Sequence, residues 1–204
     1  MKHWCAFTFA IAFVLLVTAW SGGDKKSAAQ AGLWPAPSNP IERTRLAGLT
    51  PETHEFVFLH VHAHLDVFVK GRHGTIPAGI GINIHDSAVR RFQAKDGTVG
   101  YGGISPPCQH PCISPLHTHF PDGILHTEAK KNEFNTLGQF FTEWNVRLNR
   151  KCVGGYCKPA TRIAVYVDGV RYKGDPRQIK LENLREIAIV IGKPPAKIPS
   201  SFPR

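Results

Sequence analysis

Ten of the eleven histidines fall between His54 and His126, and six of those ten stand in two close arrays. The first array is His60-Val61-His62-Ala63-His64-Leu65-Asp66. The second is His117-Thr118-His119, followed by His126 and Glu128. In an extended strand, residues i and i+2 share a face and sit about 6.6 Å apart. Two imidazoles at that spacing can lean onto one ion with metal–nitrogen distances of about 2.0–2.1 Å. His60 and His64 are about 13 Å apart along such a strand and cannot readily reach one ion without a bulge. The first array therefore offers two ligands to one metal, or serves two metals. If the rings were buried with neither a metal nor a hydrogen-bond partner, each would cost about 1–3 kcal/mol. If they faced solvent, they would form a pH-responsive or incidental surface.

The candidate metal ligands are His60, His62, His64, His117, His119 and His126. Asp66 and Glu128 stand beside them, either as carboxylate ligands or as acceptors that orient a ligating ring. His54, His73, His85 and His110 are isolated and are not assigned to the site, and Asp122 is explained by a turn. Imidazole with optional carboxylate suits Zn(II), Cu(II), Ni(II) or Fe(II). The only methionine is Met1, so a thioether site for Cu(I) is not expected. The expected cofactor is a divalent transition metal, zinc or copper.

These side chains need strands to hold them. From Phe56 to Lys70 the chain alternates with period two. Val57, Leu59, Val61, Ala63, Leu65, Val67 and Val69 fall on one face, and Phe58, His60, His62, His64, Asp66 and Phe68 on the other. Lys70-Gly71-Arg72 predicts a turn, with Thr75–Ile84 as the returning strand. Pro115–Glu128 predicts a hairpin with Pro121-Asp122-Gly123 at its tip, which places His126 opposite His117. Thr136–Leu148 reads as the amphipathic helix: Thr136 and Gln139 form a capping box, and Leu137, Phe140, Phe141, Trp144 and Leu148 form one apolar stripe. Arg162–Tyr172 predicts a hairpin turning at Asp168-Gly169, and Glu186–Ile191 a buried strand. The expected fold class is α+β: several β-hairpins forming a mostly antiparallel sheet, with one amphipathic helix packed on it. That single domain spans 51–193, between a Pro-containing lead-in at 32–50, expected to pack loosely, and a Pro-rich tail at 194–204.

The N-terminus reads as an export signal. Lys2 and His3 precede an uncharged run from Ala6 to Trp20, and Ala29-Gln30-Ala31 offers a cleavage site. An uncleaved N-terminal anchor is the alternative for residues 1–31. Ser21 stands where a lipidated cysteine would be, so lipidation is not expected. Four cysteines remain beyond the signal: Cys108, Cys112, Cys152 and Cys157. An even number in an exported chain reads as two disulfides, with three pairings open, and an oxidising compartment disfavours a four-thiolate zinc site. A bridge between the 108/112 and 152/157 loops would close a long segment and stabilise by on the order of 3 kcal/mol.

The motifs taken together resemble an exported bacterial family of unassigned function. They are His60-x-His62-x-His64-Leu65, Ile76-Pro77-Ala78-Gly79-Ile80-Gly81-Ile82, Leu116-His117-Thr118-His119-x-x-x-Gly123-x-x-His126-x-Glu128 and Thr136-Leu137-Gly138-Gln139-Phe140-Phe141-x-x-Trp144. The resemblance spans roughly 56–191 and carries no reaction with it. His117-Thr118-His119 also resembles part of a cupin motif, but the glutamate expected shortly after the second histidine is absent.

Two functions compete. The first is a noncatalytic, extracytoplasmic metal-binding protein for copper or zinc handling. The second is a metal-dependent hydrolase or oxygenase with an open coordination position and Glu128 or Asp66 as general base. Beyond residue 31 the chain keeps 22 basic and 14 acidic residues, a net of +8. Arg90-Arg91, Lys130-Lys131 and Arg150-Lys151 accordingly predict at most weak contact with an anionic membrane or envelope surface. No nucleic-acid motif accompanies them.

Overall fold

A computed structural model describes Met1 and residues 33–203. The export segment expected at the N-terminus lies, Met1 apart, outside the described residues. In chain order the elements are α1 (Pro40–Leu46), β1 (Leu59–Val69), β2 (Arg72–Gly74), β3 (Arg90–Gln93), β4 (Val99–Gly102), β5 (Leu116–His117) and β6 (Ile124–Ala129). They continue with α2 (Leu137–Glu143), β7 (Cys152–Val153), β8 (Tyr156–Cys157), β9 (Ile163–Val167), β10 (Val170–Tyr172), a 3-10 turn (Pro176–Gln178) and β11 (Glu186–Ile191). The fold is mixed and predominantly β, with two short α-helices and a mostly antiparallel sheet.

The main sheet runs β10-β9-β11-β1-β6-β5, and β2 pairs the second half of β1. One edge of β1 is shared: β6 lies against Leu59–His64 and β2 against Val67–Val69. The other edge pairs β11 in parallel, from His64↔Glu186 to Val69↔Ile191. This parallel pairing has no signature in either strand alone. It requires the chain to cross over through α2 and the β9–β10 hairpin before β11 returns.

The period-two reading of β1 places its apolar residues correctly. Ala63, Leu65 and Val67 are fully buried in the main core with Ile187, Ile189 and Ile191 of β11, Val165 of β9, and Leu137, Phe140, Phe141 and Trp144 from the α2 segment. The opposite face of β1 presents His60, His62, His64, Asp66 and Phe68. At its far end Phe68 joins Ala164, Ala188 and Val190 in a smaller apolar cluster.

The α2 capping box forms as expected, with the Thr136 side chain accepting from the Gln139 N–H. The helix is shorter than its stripe, however. Asn145 adopts φ 60 and ends it, and Val146 and Leu148 reach the core from an irregular segment. The apolar spacing alone does not distinguish these two routes to burial. The lead-in is not loose either. Trp34 stacks edge-on to Trp144 with ring centroids 5.4 Å apart, Thr44 of α1 is fully buried, and Arg43 donates to the Thr142 carbonyl.

Residues 75–84 do not form the expected strand: the return of β1 stops at Gly74. Pro77 and the positive φ of Gly79 and Gly81 divert the chain. It packs instead beside β5, where Gly79 N–H donates to the Thr118 carbonyl and Ser114 N–H to the Gly81 carbonyl. The β9–β10 turn does place Asp168 and Gly169 at positive φ, as a type I′ turn requires.

Both disulfides are local. Cys108 pairs with Cys112, and Cys152 with Cys157 directly across β7–β8. The long-range cross-link between the two loops is therefore excluded, and with it the larger loop-closure term. Two disulfides suit an oxidising, extracytoplasmic compartment. No helix among the described residues is long and apolar enough to cross a membrane.

Candidate metal centre

The strand register converts two separate histidine arrays into one row. His62 of β1 faces His126 of β6, and His126 faces His117 of β5. One step along, His60 faces Glu128. Five imidazoles, those of His60, His62, His117, His119 and His126, thus surround a single carboxylate. Glu128 Oε1 lies 3.2 Å from His60 Nε2, 3.5 Å from His126 Nδ1, 3.8 Å from His119 Nε2 and 4.0 Å from His117 Nε2.

Two of the rings are fixed from behind. His117 Nδ1 lies 2.8 Å from the Ser114 carbonyl, and His119 Nδ1 lies 2.6 Å from the Tyr101 carbonyl. A carbonyl only accepts, so each Nδ1 carries a proton, and each ring in its neutral form presents a bare Nε2. Those two Nε2 atoms face each other at 3.3 Å. With both rings neutral, two lone pairs so placed repel unless a cation or a shared proton sits between them. Two nitrogens bound at about 2.05 Å to one tetrahedral ion stand about 3.3 Å apart. A proton on His119 would relieve this one contact. It would leave His126 Nδ1, buried and 3.5 Å from Glu128 Oε1, with that carboxylate as its one neighbouring acceptor. An ion bound here would serve all three rings and the carboxylate together.

The local backbone is shaped for this. A Cβ on Gly102 would stand 2.5 Å from His119 Nδ1, so only glycine lets the Tyr101 carbonyl reach that ring. Gly81, at φ +76, would place a Cβ 2.5 Å from the Leu116 carbonyl and 3.2 Å from His117 Cβ. The glycines and Pro77 that break the expected strand are thus the residues that bring β5 close.

The rings differ in charge: burial lowers His119, but its hydrogen bonds to Glu128 and the Tyr101 carbonyl and the charge of Glu128 raise it above the ordinary imidazole value. Burial lowers the His117 imidazole to about 3, aided by the neighbouring His119 and His126, so it stays neutral and available as a ligand. Burial also lowers His126, and burial together with His126 and His60 lowers His62. Burial pushes the Glu128 carboxyl upward, but the surrounding His119, His126 and His117 rings outweigh it and hold it well below the usual carboxylate range.

Ligand atoms of His117, His119, His126 and Glu128 lie within 4.8 Å of one another, as do those of His60, His62 and His126. Each group could hold a metal ion.

His64 does not join them. Its Nδ1 is 2.8 Å from Glu186 Oε2 and its Nε2 is 3.0 Å from the Asp122 carbonyl, so both nitrogens are engaged elsewhere. Asp66 Oδ2 lies 3.8 Å from His64 Nδ1, and Asp66 Oδ1 lies 2.6 Å from His73 Nε2. His64, Asp66 and Glu186 make a separate buried group that could also hold a metal ion. His73, read as isolated in the sequence, belongs beside it because β2 starts directly after the Lys70-Gly71 turn and pairs His73 with Phe68. Burial lowers His64, but its hydrogen bond to Glu186 and the charges of Glu186 and Asp66 raise it above the ordinary imidazole value.

Sequence reasoning missed Glu186. Its one signal is being the lone charged residue at the head of an apolar strand. The Ser114 and Tyr101 carbonyls carry no sequence signal. Asp122 serves the turn, its Oδ1 accepting from Ile124 N–H. Comparison of the chain with protein-family profiles, with curated proteins and with solved structures gave no match.

Proposed function

We propose that this chain is an extracytoplasmic metal-binding protein whose ion is held by His117 Nε2, His119 Nε2, His126 Nδ1 and Glu128, serving zinc or copper handling. The observation that carries this reading is the 3.3 Å approach of two Nε2 atoms whose Nδ1 partners are both main-chain carbonyls. A ligating histidine held from its other nitrogen by a carbonyl is the usual arrangement at metal sites. Three imidazoles and a carboxylate suit Zn(II) or Cu(II). The four cysteines beyond the signal are paired in disulfides, so thiolate does not compete for a softer ion. Membership of the exported family that the motifs resemble, and weak attraction to an anionic envelope through the net positive charge, belong to the same reading.

Metal analysis of the protein purified from its native compartment tests it, alongside the His117→Ala and His119→Ala variants. Stoichiometric zinc or copper in the parent and its loss in both variants is the expected result. Unchanged metal content in both would overturn the ligand assignment.

A metal-dependent enzyme is the second reading. It is favoured by one observation: the His60 side chain is 42% exposed, which leaves the histidine face open to solvent and substrate on that side. Turnover by the metal-loaded protein of a hydrolysable or oxidisable substrate, absent from the metal-free form, would decide for it.

A further inference from the structure

We infer that the histidine face holds two ions, the second bound by His60 Nε2 and His62 Nε2 and joined to the first through Glu128. The inference rests on the metal-binding reading above and extends it in stoichiometry and geometry.

The count of donors comes first. Five imidazoles and one carboxylate present more ligand atoms than a tetrahedral ion accepts. His117, His119, His126 and Glu128 complete one such ion. His60 and His62 remain, with their Nε2 atoms 3.0 Å apart, a separation that also fits two nitrogens on one ion. Their ligand atoms and that of His126 lie within 4.8 Å of one another, so the second group overlaps the first rather than standing apart from it.

The overlap has a definite centre. Glu128 Oε1 is 3.2 Å from His60 Nε2 on one side, and 3.8 Å and 4.0 Å from His119 Nε2 and His117 Nε2 on the other. Glu128 is 6% exposed, and a buried carboxylate is costly unless positive charge compensates it. Its two oxygens can accept from both sides, the usual role of a carboxylate between paired ions.

The second position is set by strand register and backbone contacts rather than by carbonyls behind its rings. Register fixes His60 opposite Glu128 and His62 opposite His126. Behind His62, its N–H donates to Asn183 Oδ1 and its carbonyl accepts from Leu184 N–H, which pins this part of β1. The two ions would differ in access. His117 is fully buried, whereas His60 is on the surface. The His60/His62 ion therefore keeps coordination positions for water, and the His117/His119 ion is closed.

The test is a titration of the metal-free full chain with Zn(II) and with Co(II), read by bound metal after desalting and by the Co(II) spectrum. Two equivalents are expected for the parent, and one for the His60→Ala/His62→Ala double variant. The single His60→Ala variant, altered only at a surface side chain, should weaken the second equivalent at least 10-fold and leave the first unchanged. In the Co(II) form, the paramagnetic resonance signal that grows over the first equivalent should fall over the second, as bridged ions couple. Glu128→Gln should abolish that fall. Saturation of the parent at one equivalent, or two equivalents undiminished in the double variant, would overturn the two-ion inference and leave the metal-binding reading standing. No bound metal in the parent would overturn both.

Discussion

His117 and His119 face each other through Nε2 atoms 3.3 Å apart while a main-chain carbonyl holds the Nδ1 of each ring. Neither ring can turn away without giving up a hydrogen bond. A cation between the two Nε2 atoms would be gripped by both rings at once. His119→Ala removes one of the pair at a partly buried position. Metal affinity in a competition assay should fall by more than the roughly 10–100-fold that follows loss of a ligand's outer partner. An unchanged Kd would exclude His119 as a ligand.

Gly102→Ala tests ring placement without touching a ligand. The new Cβ would stand 2.5 Å from His119 Nδ1, at φ +146. The ring must move off the Tyr101 carbonyl, and metal affinity should drop about 10–100-fold with far-UV circular dichroism unchanged. Affinity equal to the parent's would show that the Tyr101 contact does not orient the ring.

His64→Ala separates stability from metal binding. It strips Glu186, 1% exposed, of its 2.8 Å partner. Breaking a buried pair in this way costs about 3–5 kcal/mol, measurable by urea unfolding. Bound metal per chain should stay as in the parent, because both His64 nitrogens are engaged outside the histidine row. Loss of one equivalent would return His64 to the ligand set.

Glu143 gives the fold a pH dependence of its own. The side chain, at the end of α2, is fully buried, and burial pushes its carboxyl up to about 8 against the opposing effect of Ser114, Thr44 and Arg43. Between about 4.5 and 8 the folded chain keeps a proton that the unfolded chain has lost. Stability contributed by the neutral group is complete at low pH and declines as pH rises through this window, by on the order of 3 kcal/mol at pH 7. Glu143→Gln should flatten the stability profile between pH 5 and 8. A profile parallel to that of the parent would exclude Glu143 as its source.

The Cys152–Cys157 bridge closes a loop with a sequence separation of 5, for which the chain-entropy account gives about 2 kcal/mol. Cys152→Ala/Cys157→Ala should lower stability by about that amount and leave metal content unchanged. Lost metal would mean that this distant hairpin supports the histidine face.

Chemistry and periodicity were legible in the chain itself. The i, i+2 spacing of His60, His62 and His64 sets them on one face of a strand because side-chain direction in a strand is a local property. For the same reason the Thr136 capping box, the Asp168-Gly169 turn and the apolar face of β1 could be read directly, and His126 could be set opposite His117 from hairpin geometry. Register between distant strands is not local. It decided that His62 lies beside His126, so that a row spans β1, β6 and β5. It also decided that β11 pairs β1 in parallel, which delivers Glu186 to His64 and withdraws that ring from the row. Sequence alone treated His60, His62 and His64 as equivalent; only the packing of Glu186 and the Asp122 carbonyl against one of them, and of Glu128 against another, made them differ. Local backbone preference is written in each short stretch of residues, whereas a coordination sphere is a property of atoms brought together from several strands by the burial of the apolar face behind them.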